Sequence, residues 1–357
     1  MTARSAQHLS QKQEASAAPP SKIALEFDDH RHLAAIAGPE HQFLARIEQK
    51  LGVRIADRGN TLLIEGDAPS VQKAETVLLA LYDRVQGSGL HAQALSLDDV
   101  DTQLRYAAQG QVQSSEDGAT VRRGAAQTPR VFRPKSPGQA AYRAAMAQHD
   151  LVFALGPAGT GKTFLAVLQA VEAFQAGQVE RIILARPAIE AGERIGFLPG
   201  DLQEKLDPYM RPLYDALDET LGPRQRSLLM DKERGARIEI IPLAFMRGRT
   251  FKQSFVILDE AQNTTIAQMK MVLTRLGAGS RIVVAGDPSQ VDLPQAVPSG
   301  LLDAVTRLAA LEGVASVRLD GRDVMRHELV ARIVAAYERD KRWLSGPKLE
   351  QKGWRGG

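Results

Sequence analysis

The sequence contains a stretch whose residue types and spacing suit the binding of phosphate groups. It has the pattern G-x-x-x-x-G-K-T, follows the apolar run LVFAL and precedes the amphipathic run TFLAVLQAVEAF. Glycines let several backbone N–H groups converge on one anion, and the following helix adds its positive N-terminal end. We therefore expect a nucleotide-binding loop in which Lys162 reaches the β and γ phosphates and the Thr163 hydroxyl binds Mg²⁺. The loop residues are Gly156, Pro157, Ala158, Gly159, Thr160, Gly161, Lys162 and Thr163.

A pair of carboxylates follows another apolar run. FVIL is followed directly by Asp259 and Glu260. An acidic residue at the end of a strand beside a phosphate loop holds Mg²⁺, and we predict that Asp259 does so through water. Glu260 is then placed to orient or deprotonate the attacking water. A carboxylate directed at water favours hydrolysis over phosphate transfer to a small acceptor.

Two glutamines are candidates for contact with a bound nucleotide. Gln290 ends the sequence GDPSQ after the apolar run RIVVAG, and it is predicted to bond the γ-phosphate and sense hydrolysis. The alternative is an exposed residue in a Pro-Ser turn. Gln139 precedes the strand that carries the phosphate loop, and its amide offers both the donor and the acceptor needed to read the adenine edge. The alternative here is a polar residue at the start of a helix.

The composition is that of a globular protein in a reducing compartment. Of the 357 residues, 44% are hydrophobic and 24% charged, which excludes disorder of the whole chain. Lys and Arg number 45 against 42 Asp and Glu, so a net charge of +3 neither requires nor excludes a nucleic-acid partner. The absence of cysteine excludes disulfides, thiolate catalysis and zinc-thiolate sites. Because we find neither an apolar leader nor a run of about 20 apolar residues, we expect a cytoplasmic protein without a membrane partner.

The patterns of apolar residues predict a small N-terminal domain and a larger α/β domain. Residues 23–87 show the order strand, helix, strand, strand, helix, and a further helix is expected over 97–107 with Ser96 as its N-cap. The runs LVFAL, RIILAR, RIEIIPL, FVILD and RIVVAG alternate with helical sequence, which predicts a buried parallel sheet with helices on both faces. The predicted segments are a disordered tail (1–21), an α+β domain (22–109), a basic linker or arm (110–138), an α/β domain (139–342) and a flexible tail (343–357).

Over about residues 22–342 the chain resembles the PhoH family of bacterial ATPases. GPAGTGKT, LDEAQN and GDPSQ are similar to motifs of superfamily 1 helicases. ARPAIEAGERIGFLPGDLQEKLDPYMRPLYDAL, FMRGRTF and DVMRHELVARIVAAYE resemble the PhoH family more specifically. The resemblance implies a RecA-like P-loop domain that uses ATP and Mg²⁺ and takes part in RNA metabolism, including ribosome or rRNA maturation.

The resemblance also suggests nucleic-acid contacts for three arginines. Arg186 ends the second strand, where superfamily 1 relatives have a segment that contacts nucleic acid; the alternative is a salt bridge in a loop. Arg247 and Arg249, in MRGRT, are candidates for contact with RNA or with a neighbouring subunit's nucleotide. A solvated basic turn is the alternative for this pair.

The N-terminal pattern resembles a KH-like domain, a module that clamps single-stranded RNA with a GXXG loop. The corresponding position here is Gly38-Pro39-Glu40-His41, in which the second glycine is replaced and a negative charge is added. An assembly or partner-docking domain that keeps only the fold is the alternative. A further candidate for RNA contact is the basic arm, whose cationic residues are Arg122, Arg123, Arg130, Arg133 and Lys135.

The length of the α/β domain allows for one RecA-like core, whereas superfamily 1 helicases close the ATP cleft between two. A neighbouring copy is the simplest source of the missing half and of a cation for the transition state. We therefore expect a homo-oligomer, possibly a hexameric ring, in which Arg326 or Arg322 acts in trans, with Arg326 preferred.

Three classes of function remain open at this point. The first is an ATPase that is stimulated by RNA and acts as a translocase or remodelling motor. The second is a nucleotide-dependent switch that recruits an RNA-processing partner, such as an endoribonuclease or a ribosome-assembly factor, without unwinding. The third is a small-molecule kinase, which is disfavoured because Glu260 is placed to act on water and no acceptor-binding lid is apparent.

Overall fold

A computed structural model of the chain describes residues 21–87, 95–113, 119–121, 130–187, 202–294 and 296–325, and the single positions 330 and 333. The chain divides into two compact units, residues 1–115 and 116–357. Among the described residues, none of the helices combines the length and apolar character needed to cross a bilayer. Arg326, Arg122, Arg123 and, apart from Ser21, the two predicted tails lie outside the described residues.

The first unit is a three-stranded antiparallel sheet covered by helices. Its elements are β1 (Ser21–Glu26), α1 (His30–Ala37), α2 (Gln42–Leu51), β2 (Arg54–Arg58), β3 (Thr61–Gly66), α3 (Ala68–Gly87) and α4 (Leu97–Ala108). The strands lie in the order β1-β3-β2. The predicted helix after Ser96 is confirmed, and Ser96 and Asp99 form a capping box. Helix α1 adds to the predicted order; its buried residues Leu33, Ile36 and Ala37 span too few turns to give a clear periodic signal.

The sequence Gly38-Pro39-Glu40-His41 forms the connection between α1 and α2. Gly38 has φ +75°, and a Cβ at this position would lie 2.5 Å from the ring of Phe43, so that a side chain has no room. Glu40 and His41 both adopt left-handed conformations, which end one helix and start the next within three residues. A GXXG loop also lies between two helices, but RNA clamping by this loop stays a prediction.

The second unit is built on a six-stranded sheet in which every neighbouring pair is parallel, in the order β11-β6-β10-β9-β7-β8. This confirms the predicted α/β class. The elements are β4 (Ala119–Val121), β5 (Arg130–Phe132), α5 (Pro137–Gln148), β6 (Leu151–Leu155), α6 (Lys162–Gln175), β7 (Arg181–Arg186), α7 (Leu202–Leu221), α8 (Pro223–Met230), β8 (Ile238–Pro242), β9 (Ser254–Leu258), α9 (Ile266–Leu273), β10 (Arg281–Gly286), α10 (Gly300–Leu308) and β11 (Val314–Arg318).

The central strands read as continuous apolar runs because both faces of the sheet are covered. Successive residues of β9 alternate between two hydrophobic clusters: Phe255 and Ile257 pack with α5, α6 and α7, whereas Val256 and Leu258 pack with α9 and α10. All five residues of β9 are buried. Strand β11 was not among the five predicted strands. It lies at an edge and is partly exposed, so its sequence VASVR lacks the apolar run that marks a buried strand.

Part of the predicted linker is folded. Strands β4 and β5 pair antiparallel, and Val121 is fully buried in the cluster that includes α6. The ring of Phe132 lies 5.7 Å from that of Phe164 on α6. Apolar side chains scattered among Arg, Gly and Pro therefore anchor β4 and β5 to the second unit, whereas composition alone predicts a linker or an extended arm.

We expect Val121→Ala to lower the free energy of unfolding of the second unit by about 2 kcal/mol, because it removes two buried methyl groups. Val112→Ala is the matched control, since Val112 lies in the same predicted linker but is 58% exposed. Denaturant unfolding of both variants provides the comparison. Equal, near-zero effects would contradict the burial of this hairpin.

Candidate nucleotide-binding site

The polar residues of the site follow three neighbouring parallel strands. Strands β6, β10 and β9 lie side by side, so their carboxyl ends meet at one edge of the sheet. The phosphate loop follows β6, Asp259 follows β9 and Asp287 follows β10. They open onto a cavity of about 440 Å³, which is also lined by Pro212, Asp215, Ala216 and Glu219 of α7. The sheet thus brings together the loop, the acidic pair and Gln290, as the sequence predicts.

The phosphate loop is held in place by residues behind it. Gly156 has φ +154°, and a Cβ there would lie 2.3 Å from the carbonyl oxygen of Leu319, so only glycine fits. The backbone N–H of Met325 donates to the Gly159 carbonyl at 2.8 Å. These contacts fix the loop before any ligand arrives, which reduces the entropy lost on binding.

The Lys162 ammonium group lies on its own loop. It is buried and donates to the carbonyl oxygens of Gly156 at 2.6 Å and Pro157 at 2.9 Å. A buried ammonium group requires such acceptors. Phosphate oxygens would provide stronger, charged acceptors, so Lys162 is suited to bind them.

Thr163 and Asp259 form a hydrogen-bonded pair of oxygen ligands. The Thr163 hydroxyl donates to Asp259 Oδ1 at 2.7 Å, and Asp259 is 4% exposed. Burial raises the pKa of the Asp259 carboxyl, while the Thr163 hydrogen bond opposes that shift. Within the described ranges, no group of three or more His, Cys, Asp or Glu is arranged to hold a metal. The hydroxyl and carboxylate oxygens of this pair fit Mg²⁺, which takes few protein ligands and completes its shell with water and phosphate oxygens.

Glu260 adopts a left-handed backbone conformation, with φ +51°, at the turn after β9. One carboxylate oxygen, Oε1, lies 3.3 Å from Nη2 of Arg186. The other, Oε2, accepts a hydrogen bond from the Gln262 side chain. A non-glycine residue with positive φ at a functional site is a sign that the turn is constrained by its partners.

Gln262 is a positioning residue to which sequence reasoning gave no role. It is 1% exposed, donates to Glu260 and accepts a 3.0 Å hydrogen bond from the backbone N–H of Asp287. It therefore links the acidic turn after β9 to the GDPSQ turn after β10. In the sequence, Gln262 is marked only by its position two residues after an acidic residue at the end of an apolar run. That pattern is too common to predict a link between two turns.

Gln290 lines the same cavity as Lys162, Asp259 and Glu260. Its amide donates to Asp287 Oδ2, and the other oxygen of Asp287 accepts from Ser289. The structure thus places Gln290 at the site, with its donor directed at a carboxylate. Its predicted role as a sensor of the γ-phosphate stays a prediction.

Gln139 lies behind the phosphate loop and is 4% exposed. Its amide nitrogen donates to the Thr160 carbonyl at 3.0 Å, and its amide oxygen accepts from the Lys135 backbone N–H at 2.8 Å. In this arrangement Gln139 supports the loop. Recognition of adenine, for which its second donor and acceptor positions would be needed, stays a prediction.

The three arginines predicted to contact nucleic acid lie in different surroundings. Arg186 reaches the site through its contact with Glu260. Arg249 instead pairs with Glu239 at 2.9 Å and lies over the ring of Phe251, so its charge is balanced within the fold. Arg247 is exposed just after a short 3₁₀ helix and outside the cavity lining.

Of the two arginines proposed to act in trans, Arg322 is exposed and pairs with Asp320 at 2.6 Å. This pair raises the pKa of the Arg322 guanidinium and lowers the pKa of the Asp320 carboxyl. Arg326 lies outside the described residues. Action in trans by either arginine stays a prediction.

A buried parallel sheet, the G-x-x-x-x-G-K-T loop and the Thr163–Asp259 pair together define a P-loop nucleotide-binding protein. The model of the PhoH family, described as "PhoH-like protein", matches residues 131–338, and the chain belongs to this family. The PhoH-like protein of Bacillus subtilis is 47% identical over 85% of this chain and 93% of its own length. That of Synechocystis sp. is 47% identical over 86% and 92%, and Protein PhoH of Escherichia coli K12 is 47% identical over 57% of each chain.

Solved structures show a weaker likeness. The Pif1 helicase from Candida albicans is 15% identical with a TM-score of 0.32, covering 61% of this chain and 49% of that chain. The Pyrococcus furiosus Hef helicase domain is 12% identical with a TM-score of 0.33, covering 52% and 38%. Neither likeness bears on the function.

We expect Gln262→Leu to lower the free energy of unfolding by about 2 kcal/mol, because the buried Asp287 N–H and the Glu260 carboxylate each lose a partner. Gln169→Leu is the matched control. Gln169 is also buried, but its Oε1 has no hydrogen-bond partner in the described structure, so an apolar replacement removes an unsatisfied atom. Equal stabilities of the two variants in thermal unfolding would contradict the positioning role of Gln262.

Proposed function

We propose that this protein is a Mg²⁺-dependent ATPase that couples ATP hydrolysis to the binding or remodelling of RNA in the cytoplasm. The observation that carries the hydrolytic part is the position of Glu260. It follows the buried Asp259 directly and lines the same cavity as Lys162. A carboxylate so placed is suited to act on a water molecule rather than to bind the metal.

Each residue of the site has a separate role in the proposed reaction. The loop N–H groups and Lys162 bind the β and γ phosphates, and Thr163 and Asp259 hold Mg²⁺. When bound by these two residues, Mg²⁺ would supply positive charge next to the phosphate oxygens and the leaving group. Glu260 orients the attacking water and accepts its proton, while Gln290 contacts the γ-phosphate.

The charge of the cavity supports a dependence on metal. Its lining includes the carboxylates of Asp215, Glu219, Asp259, Glu260 and Asp287. Among the described residues of that lining Lys162 is the cation, while Arg186 and Arg211 pair with Glu260 and Asp215 from outside it. A polyphosphate entering alone would meet an excess of negative charge, whereas its complex with a divalent cation carries two compensating positive charges.

The RNA part of the proposal rests on the motifs shared with superfamily 1 helicases and on cationic groups that are at least partly exposed. Arg186, Arg247 and Arg249 are the candidates, and single-stranded RNA is the proposed ligand. The KH-like interpretation of the first unit offers a second route through the Gly38–His41 loop. An endoribonuclease or a ribosome-assembly factor is the proposed protein partner.

We expect Glu260→Gln to lower ATP turnover at least about 100-fold while ATP binding persists, because the water loses its base but the phosphate loop is intact. Steady-state phosphate release with and without single-stranded RNA provides the measurement. Glu312→Gln is the control. Glu312 is exposed and precedes β11, so it lies at the amino ends of the parallel strands, whereas the site lies at their carboxyl ends.

The outcomes separate the function classes. Hydrolysis that RNA accelerates several-fold supports the coupled ATPase. A slow rate that is indifferent to RNA supports the alternative, a nucleotide-dependent switch that recruits its partner without unwinding. Phosphate appearing on an added acceptor indicates a kinase, and no nucleotide turnover under any condition would refute the proposal.

We also propose a homo-oligomer, possibly a hexameric ring, in which Arg326 of one subunit acts on the nucleotide of the next. A subunit carrying Arg326→Ala retains Glu260, and a subunit carrying Glu260→Gln retains Arg326. Mixing the two inactive variants is therefore expected to restore part of the ATP turnover at their shared interfaces. No recovery, although both variants assemble, would exclude action in trans by Arg326.

A further inference from the structure

The Arg186 side chain joins two parts of the site. Its Nη2 lies 3.3 Å from Glu260 Oε1, and its Nη1 donates to the carbonyl oxygen of Tyr209 on α7 at 3.1 Å. The register of the sheet fixes this geometry, since the Asp259 N–H donates to the Ala185 carbonyl at 2.8 Å. Arg186 and Glu260, each one residue further along, are thereby held side by side.

Both oxygens of the Glu260 carboxylate are engaged in this arrangement. Arg186 holds Oε1 and Gln262 holds Oε2. These two contacts hold the carboxylate in a fixed position at the turn after β9. The carboxylate can therefore move toward a water molecule at the γ-phosphate only after one of these contacts is released.

We propose that Arg186 is a clasp, meaning a side chain that restrains Glu260 until a backbone phosphate of single-stranded RNA draws the guanidinium away. This inference rests on the proposed function and assigns the residue that couples its two halves. RNA binding at Arg186 and activation of water at Glu260 are then one event, because the same guanidinium cannot serve both anions at full strength.

The exposure of the residues indicates which cation meets an anion from outside. The Arg186 side chain is 21% exposed and that of Glu260 37%, whereas Lys162 is 9% exposed and is held by the loop carbonyls. Lys162 is thus enclosed by the phosphate loop, whereas part of the Arg186 side chain is open to an external phosphate. A partly exposed ion pair is weak, and a guanidinium binds phosphate oxygens through two parallel hydrogen bonds, so RNA competes effectively.

The first test compares ATP turnover of the wild type and Arg186→Gln, with and without single-stranded RNA. We expect the RNA-free rate to rise about threefold to tenfold and the stimulation by RNA to fall nearly to one. Arg181→Gln is the matched control: it lies at the other end of β7, with Glu239 3.9 Å away, and is expected to behave as wild type. An RNA-free rate that is unchanged or lower, with stimulation retained, would overturn the clasp.

A second measurement does not depend on the folding of the Arg186 variant or on hydrolysis. If RNA and Glu260 compete for Arg186, linkage requires that removing the Glu260 charge tightens RNA binding. We expect nucleotide-free Glu260→Gln to bind labelled single-stranded RNA about threefold to tenfold more tightly than wild type. Glu172→Gln, which also removes a carboxylate paired with an arginine, Arg143 at 3.0 Å, is expected to leave RNA affinity unchanged.

These two measurements distinguish failure of the proposed function from failure of the clasp. A wild-type protein that neither hydrolyses ATP nor binds RNA refutes the proposed function itself. A wild-type protein with RNA-stimulated hydrolysis, combined with unchanged RNA affinity in Glu260→Gln, refutes the clasp alone. Tighter binding in that variant together with a faster RNA-free rate in Arg186→Gln supports both.

Discussion

Burial of the central sheet on both faces is the constraint on which the site depends. Side chains along β6, β9 and β10 point alternately into two hydrophobic clusters, so none of their inner positions has room for an unpaired polar group. Functional groups are therefore confined to the turns after the strands. Because all neighbouring strands are parallel, these turns meet at one edge, and residues as far apart as Thr163 and Asp259 come within 2.7 Å.

Placing the Asp259 carboxylate at the end of a buried strand has a desolvation cost. The carboxylate is buried, and burial raises its pKa above the 3.8 of an ordinary aspartate. At a pH between the two pKa values, Asp259 is protonated in the folded protein and ionised in the unfolded chain. The contribution of this group to the free energy of unfolding is therefore fully present below the unfolded pKa and is lost as pH rises through the folded pKa. The Thr163 hydroxyl offsets part of this cost, and a divalent cation would offset more. Retention of such a group is characteristic of a functional site.

The sequence predicts those parts of the fold and site that have a local signal, and it does not predict those that depend on tertiary contacts. The phosphate loop, Asp259 and the five apolar strands each have a signal within a few residues, and the structure places them as predicted. Strand β11 lacks such a signal because an edge strand need not be apolar. The link through Gln262 and the pairing of Arg186 with Glu260 depend on which strands are neighbours, and composition and periodicity do not specify strand order.

The groups expected to meet a nucleotide all have partners within the protein. Lys162 donates to loop carbonyls, Gln290 to Asp287, and Glu260 is held by Arg186. Exchange of one such contact for a ligand contact yields little net free energy, since a bond is lost for each bond made. A ligand that presents the β and γ phosphates with a cation replaces several partners at once and adds charge-assisted bonds. These internal contacts therefore support the proposed ligand, a nucleoside triphosphate with its metal, over a nucleotide that offers fewer phosphates.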